Sequence, residues 1–148
     1  MSAEPNAEIA AAAAAGIRVE LFGPPRAVMA GGEPVAVNSR KARTLLFYLA
    51  AHANQKLSRA KLAGLLWDRV PDHQARKSLR QALVDLTSAL GPAAGAIEAS
   101  RETLRLRMDR VETDLLDLRR GEVVDPARYA RPFLEGVEGL TESFDEWL

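Results

Sequence analysis

The chain has 148 residues, no cysteine, and 20 acidic side chains against 20 basic ones. Hydrophobic residues make up 47% and aromatics only 5%, so a core can form, but mostly from Leu, Val and Ala. Disulfides and thiolate metal sites are excluded, and a reducing cytoplasm is the natural setting. The longest apolar run, Ile9–Ala15, is too short to span a bilayer. It follows Glu4 and Glu8 rather than a basic stretch, which is unlike a signal peptide.

Residues 1–16 are Ala-rich and aperiodic, and are read as a disordered leader. Ile17–Gly23 alternates apolar and polar residues. Arg26–Ala30 and Pro34–Val37 follow as short strand candidates around Gly31–Gly32, a hairpin signal. The folded part is therefore expected to open with a small antiparallel sheet. Ser39 suits an N-cap for a helix to about His52, with Ala42, Leu45, Leu46 and Leu49 at helical spacing. Ser58 caps a second, short helix carrying Leu62, Leu65 and Leu66 and ending near Trp67. A loop over Asp68–Asp72 precedes a third helix from about Gln74 to Leu90, stopped by Gly91–Pro92. Ala75, Leu79, Leu83, Leu86 and Leu90 form its apolar stripe. Ala96–Ala99 and Thr103–Met108 are expected to pair as a hairpin around Ser100–Arg101–Glu102, and Thr113–Arg120 as a short acidic helix. From Gly121 the chain turns rich in Gly and Pro, so a domain boundary is placed near residues 110–120.

Charge is unevenly spread. Residues 38–81 hold ten Lys and Arg against Asp68 and Asp72, whereas residues 111–148 hold four Arg against ten acids. A basic middle and an acidic end suggest a polyanion-facing module joined to something else; two ordinary solvated faces are the plainer alternative.

The order of sheet, three helices and hairpin is that of an α+β winged helix-turn-helix. The segments LFGPPRAV, KARTLLFYLA, LSRAKLAGLLW and ARKSLRQAL resemble, in order and spacing, the OmpR/PhoB-type DNA-binding domain. More closely they resemble the version that opens SARP-type regulators, where a bacterial transcriptional activation domain (BTAD) follows. The resemblance covers about residues 17–120. It divides the chain into a winged-helix domain over 17–110 and, over 111–148, a linker helix with the start of an activation-domain-like segment.

In a helix-turn-helix the second helix abuts the phosphate backbone and the third enters the major groove. Lys56, Ser58, Arg59 and Lys61, around the second helix's start, are assigned to phosphate. On the wet face of the third helix, Lys77, Arg80, Gln81 and Val84 are assigned to base edges. Arg and Gln can bond guanine and adenine bidentately, and Val can meet a thymine methyl. Arg76, Thr87 and Ser88 are assigned to backbone, as are Arg101 and Arg105 on the wing. A solvated face is the plain alternative for all of them.

The resemblance further implies double-stranded DNA as partner, head-to-tail pairing on direct repeats, and RNA polymerase contact through Asp68, Arg69 and Asp72 of the loop, read as free. The acidic tail has three candidate partners: polymerase, a second protomer, or the chain's own basic face, the last an autoinhibited state. Two departures from the family stand out. Asp85, Thr87 and Ser88 occupy positions where arginines are frequent, and Glu102–Thr103 replaces the wing's Gly-Tyr. Asp85 near phosphates is expected to repel. A degenerate winged helix that binds protein is the competing reading.

Nothing points to catalysis. His52 is read as a structural residue at a helix end, and His73 beside Asp72 lacks a nucleophile and an orienting third group. No glycine run resembles a phosphate loop, and no spacing resembles a metal site, so no cofactor is expected.

Overall fold

The computed structural model describes residues 16–123 and 125–148; the expected leader, apart from Gly16, lies outside them. The first strand, β1 (Ile17–Glu20), pairs antiparallel with β2 (Arg26–Met29), Ile17 facing Met29 and Glu20 facing Arg26. Its alternation buries Ile17 and Val19, as the period of two requires. The reversal beyond β2 uses Gly32 at φ +87°, a left-handed conformation that favours glycine. The expected third strand, Pro34–Val37, does not form. It makes one bridge, Pro34 to Val28. On the other side of β1, away from β2, β6 (Val111–Thr113) pairs parallel to it. The sheet order is thus β2-β1-β6, mixed rather than purely antiparallel.

Helix α1 (Arg40–Ala51) begins as its N-cap foretells, the Ser39 hydroxyl accepting from the Ala42 amide. It lies at the centre of the molecule, with every residue from Thr44 to Ala51 buried. The two-residue strand β3 (Leu57–Ser58) leads into α2 (Arg59–Leu66), capped by Ser58 through the Lys61 amide. Next comes α3 (Asp72–Leu90). It starts two residues before the expected Gln74. Pro71 has a φ of −58° that leads into a helix, and Asp72 complements the positive end of the helix dipole. Asp72 therefore belongs to the helix and not to the loop. Ala75, Leu79, Leu83, Leu86 and Leu90 are buried as the stripe predicts.

The wing is β4 (Ile97–Ala99) paired with β5 (Thr103–Leu106), and β3 pairs with the other edge of β5. Leu104 and Leu106 are fully buried, so the alternation LRLR fixes which face meets the core. Three helices with a hairpin wing, opened by a sheet, make an α+β winged helix-turn-helix.

The chain after the wing packs on the same core. β6 is followed by α4 (Asp114–Arg120), and α5 (Glu142–Trp147) comes near the end. Leu116, Leu134, Val137 and Phe144 are buried in one cluster with Leu21, Leu45 and Leu66. Residues 131–137 run along the exit of β1: Leu134 N–H donates to Leu21 O at 2.7 Å and Gly23 N–H to Pro132 O at 2.8 Å.

Candidate nucleic-acid interface

The outward face of α3 is set by its inward one. With the Leu stripe buried, Arg76, Lys77, Arg80, Gln81, Val84, Asp85 and Ser88 are exposed. Val84, at 52%, is the most exposed large hydrophobic side chain among the described residues. Lys77, Arg80, Gln81 and Val84 border one shallow depression of about 630 Å³. All four residues assigned to base edges are thus brought together. His73, Gln74 and Ser78 border the same depression and were missed. Their signal was in the sequence, since His73 and Gln74 lie one turn before Lys77 and Ser78 once the helix begins at Asp72.

A second cleft, about 500 Å³, lies where α2, α3 and the wing meet. Arg59, Arg76, Arg80 and Arg101 border it, with Glu102 the one acid. Four guanidiniums from three elements make a strongly positive recess, suited to phosphate. The wing turn is fixed there from both sides. Arg59 N–H donates to Glu102 O at 2.9 Å, and Arg59 Nε donates to Ser100 O at 2.8 Å. The Ser100 and Thr103 side chains close the turn at 2.8 Å.

The remaining phosphate candidates are more scattered. Lys56, Ser58 and Lys61 are exposed around the start of α2, outside the cleft lining. Ser88 is exposed farther along α3. Thr87 uses its hydroxyl proton on its own helix, donating to Leu83 O at 3.0 Å. Arg105 is paired across the wing, Nε donating to Glu98 at 2.8 Å.

The loop between α2 and α3 is not free. Asp68 accepts from the Ser143 amide at 3.2 Å, Arg69 pairs with Glu142 at 3.5 Å, and the Thr141 hydroxyl donates to Leu65 O at 2.7 Å. Trp147 lies against Tyr48 and His52, with ring centroids 4.6 and 5.4 Å away. The acidic tail therefore covers this loop and the end of α1, and an autoinhibitory contact with the exposed face of α3 is not what forms. Phe144 and Trp147, rather than charge complementarity with that face, decide where the segment docks. His52, in a three-ring cluster with Tyr48 and Trp147, has the structural place expected of it.

The Ser143 amide, aimed at Asp68, holds that carboxyl below the usual carboxylate range. Because the folded-state value lies below the unfolded one, the bond contributes fully above the ordinary carboxylate range. It is lost as pH falls through the lower, folded-state value. The Ser143 amide proton shift is expected to titrate in that acid window, and Asp68→Ala to abolish the titration. A shift that stays constant through the window would refute the bond.

The fold has a solved counterpart. The fold is similar to that of Mycobacterium tuberculosis EmbR. That structure, of EmbR in complex with a low affinity phosphopeptide, matches at a TM-score of 0.56 and 24% sequence identity, over 66% of this chain. The chain spans 27% of the length of the EmbR chain. The likeness to EmbR is one of fold, the winged helix. No family model matches the sequence, and no curated protein matches it. Among the described residues, no helix is long and apolar enough to cross a membrane, and no cluster of His, Asp and Glu is placed to hold a metal.

Proposed function

We propose that this chain is a sequence-specific, double-stranded-DNA-binding module of a cytoplasmic transcriptional regulator, without enzymatic activity of its own. In this reading α3 lies in the major groove. The convergence of Arg59, Arg76, Arg80 and Arg101 from three elements, beside the base-reading face of α3, is the observation that carries it. Phosphates seat at the arginine cleft and at the start of α2, while Lys77, Gln81 and Val84 meet base edges. Arg80 borders both depressions and serves either role.

The finer reading, a SARP-type regulator in which residues 111–148 begin an activation domain, is supported by the motif resemblance and by the fold shared with EmbR. It brings RNA polymerase as a second partner at the loop between α2 and α3, and head-to-tail pairs on DNA repeats. Asp72 is exposed beside that loop, at the first position of α3, whereas Asp68 and Arg69 in the loop contact α5.

The test is selection of binding sequences from random duplex DNA, with affinity followed from about 50 to 200 mM salt. An enriched motif is expected. Arg76→Ala and Arg101→Ala are each expected to lower the slope of log K against log salt by about 0.9 without changing the motif. Arg80→Ala with Gln81→Ala is expected to relax the motif, by roughly 1–3 kcal/mol per bidentate pair lost. Equal losses on specific and random DNA would count against base reading. A second reading, a winged helix that binds protein, is favoured by the exposed Asp85 on the recognition face. It predicts no enriched motif.

A further inference from the structure

Asp85 was expected to weaken DNA binding by repelling phosphate. Its hydrogen bonding assigns it another role. The inference rests on the DNA-reading function proposed above. Gln81 and Asp85 stand one turn apart on the exposed face of α3, and Gln81 Nε2 donates to Asp85 Oδ1 at 3.0 Å. A carboxylate only accepts, so the chemistry of the pair fixes which end of the amide turns toward Asp85. The helical neighbours of Asp85 at i±3 and i±4 are Gln81, Ala82, Ser88 and Ala89, none of them cationic. Its charge therefore bears on the glutamine rather than on a salt bridge along the helix.

A glutamine amide carries two N–H bonds, one on the same side as Oε1 and one opposite. The negative carboxylate repels Oε1, so it takes the opposite N–H. The free edge then holds Oε1 and the remaining N–H side by side. That acceptor–donor edge pairs bidentately with adenine, Oε1 accepting from N6 and the N–H donating to N7. Guanine presents O6 where adenine presents N6. It would set an acceptor against Oε1, with the Asp85 charge close behind.

We infer that Asp85 is a positioning residue that locks the Gln81 amide in the orientation that selects adenine over guanine at one position of the bound site. An unrestrained glutamine can flip its amide and tolerate either purine. A glutamine held by Asp85 cannot flip without placing Oε1 against the carboxylate. Asp85 thus gives up some general affinity for phosphate and contributes discrimination at one base pair.

The experiment is sequence selection with the full chain and with Gln81→Ala, Asp85→Ala and Asp85→Asn. All three substitutions fall on the exposed face, and circular dichroism checks that each protein is folded. Gln81→Ala should erase an adenine preference at one position. Asp85→Ala should reduce the adenine-to-guanine ratio at that same position about tenfold, within the range of one bidentate contact, and should strengthen binding to random DNA. Asp85→Asn, whose side-chain carbonyl still accepts the Gln81 N–H, should keep most of the preference. If the wild-type motif is enriched but Asp85→Ala leaves the Gln81 position unchanged, or if Gln81→Ala alters no position, the inference fails while the DNA reading stands. If the wild type enriches no motif, the DNA reading itself fails and takes the inference with it.

Discussion

Phe144→Ala is expected to destabilise the whole protein by about 3–5 kcal/mol, the range for deleting a fully buried aromatic ring. Phe144 is 0% exposed, yet it lies in α5, a helix of six residues. An isolated helix of that length does not hold in water, so α5 exists because of what it packs on. Its ring centroid is 5.4 Å from that of Trp147, which in turn lies against Tyr48 and His52 of α1 and its cap. Emptying the Phe144 site opens a cavity in the core shared with Leu45 and Leu66, and it loosens the grip on the loop at Asp68. Chemical denaturation followed by tryptophan fluorescence and by circular dichroism should show one transition in both signals, at lower midpoint and unchanged slope. Fluorescence that changes well before circular dichroism, with the main transition unmoved, would mean that the tail is an appendage and the prediction is wrong.

Asp114→Ala is expected to be comparably damaging, about 3–5 kcal/mol. The Asp114 side chain is wholly buried at the start of α4 and reaches back to the exit of β1. There it accepts the amides of Leu21 at 2.8 Å and Phe22 at 3.0 Å. Alanine would orphan both donors, and a buried unmet donor costs about 1–3 kcal/mol. Arg128 sits 3.9 Å from Asp114 and 3.4 Å from the buried Glu20, so the variant also unbalances a partly buried cluster of charges. Asp114→Asn should fall between the two. Its carboxamide oxygen accepts one amide, but its NH₂ group must face the other, donor against donor. Equal midpoints for wild type and Asp114→Ala in urea would dispose of this account.

The parts legible in the sequence are those governed by local rules. Ser39 and Ser58 announced two helices because an N-cap acts within three residues. The stripe Leu79, Leu83, Leu86, Leu90 and the alternation Leu104, Leu106 named their buried faces because each repeats with the period of its element. What escaped is non-local. Val111–Thr113 is too short to carry a period, and its partner lies 94 residues earlier, from Ile17 to Val111. Pro34–Val37 lies beside β2 as its hairpin signal implies, but its contact there stops at one bridge and it builds no strand. Asp114 is one of several acids in the expected helix Thr113–Arg120; its hydrogen bonds to the exit of β1 depend on the tertiary fold. The composition change near residue 120 is real, yet the buried residues on either side of it share one cluster. At the site, the basic face was visible as charge density. The cleft was not, because it is assembled from α2, α3 and the wing. The Gln81–Asp85 spacing was in plain view, but its consequence depended on which atoms meet.

The parallel pairing of β1 and β6 also has a mechanical meaning. A Cβ placed on Gly16 would collide with the Arg110 carbonyl, so the chain enters β1 and approaches β6 side by side. It leaves the pair past Thr113, at the other end. A pull between these two points runs along both strands in opposite directions. It loads the ladder of hydrogen bonds between them in shear, all together, instead of peeling them one by one. Helices α1–α3 and the wing lie within that loop, off the line of the pull. Tension applied at Gly16 and Thr113 therefore passes through the sheet and leaves the exposed face of α3 out of its path.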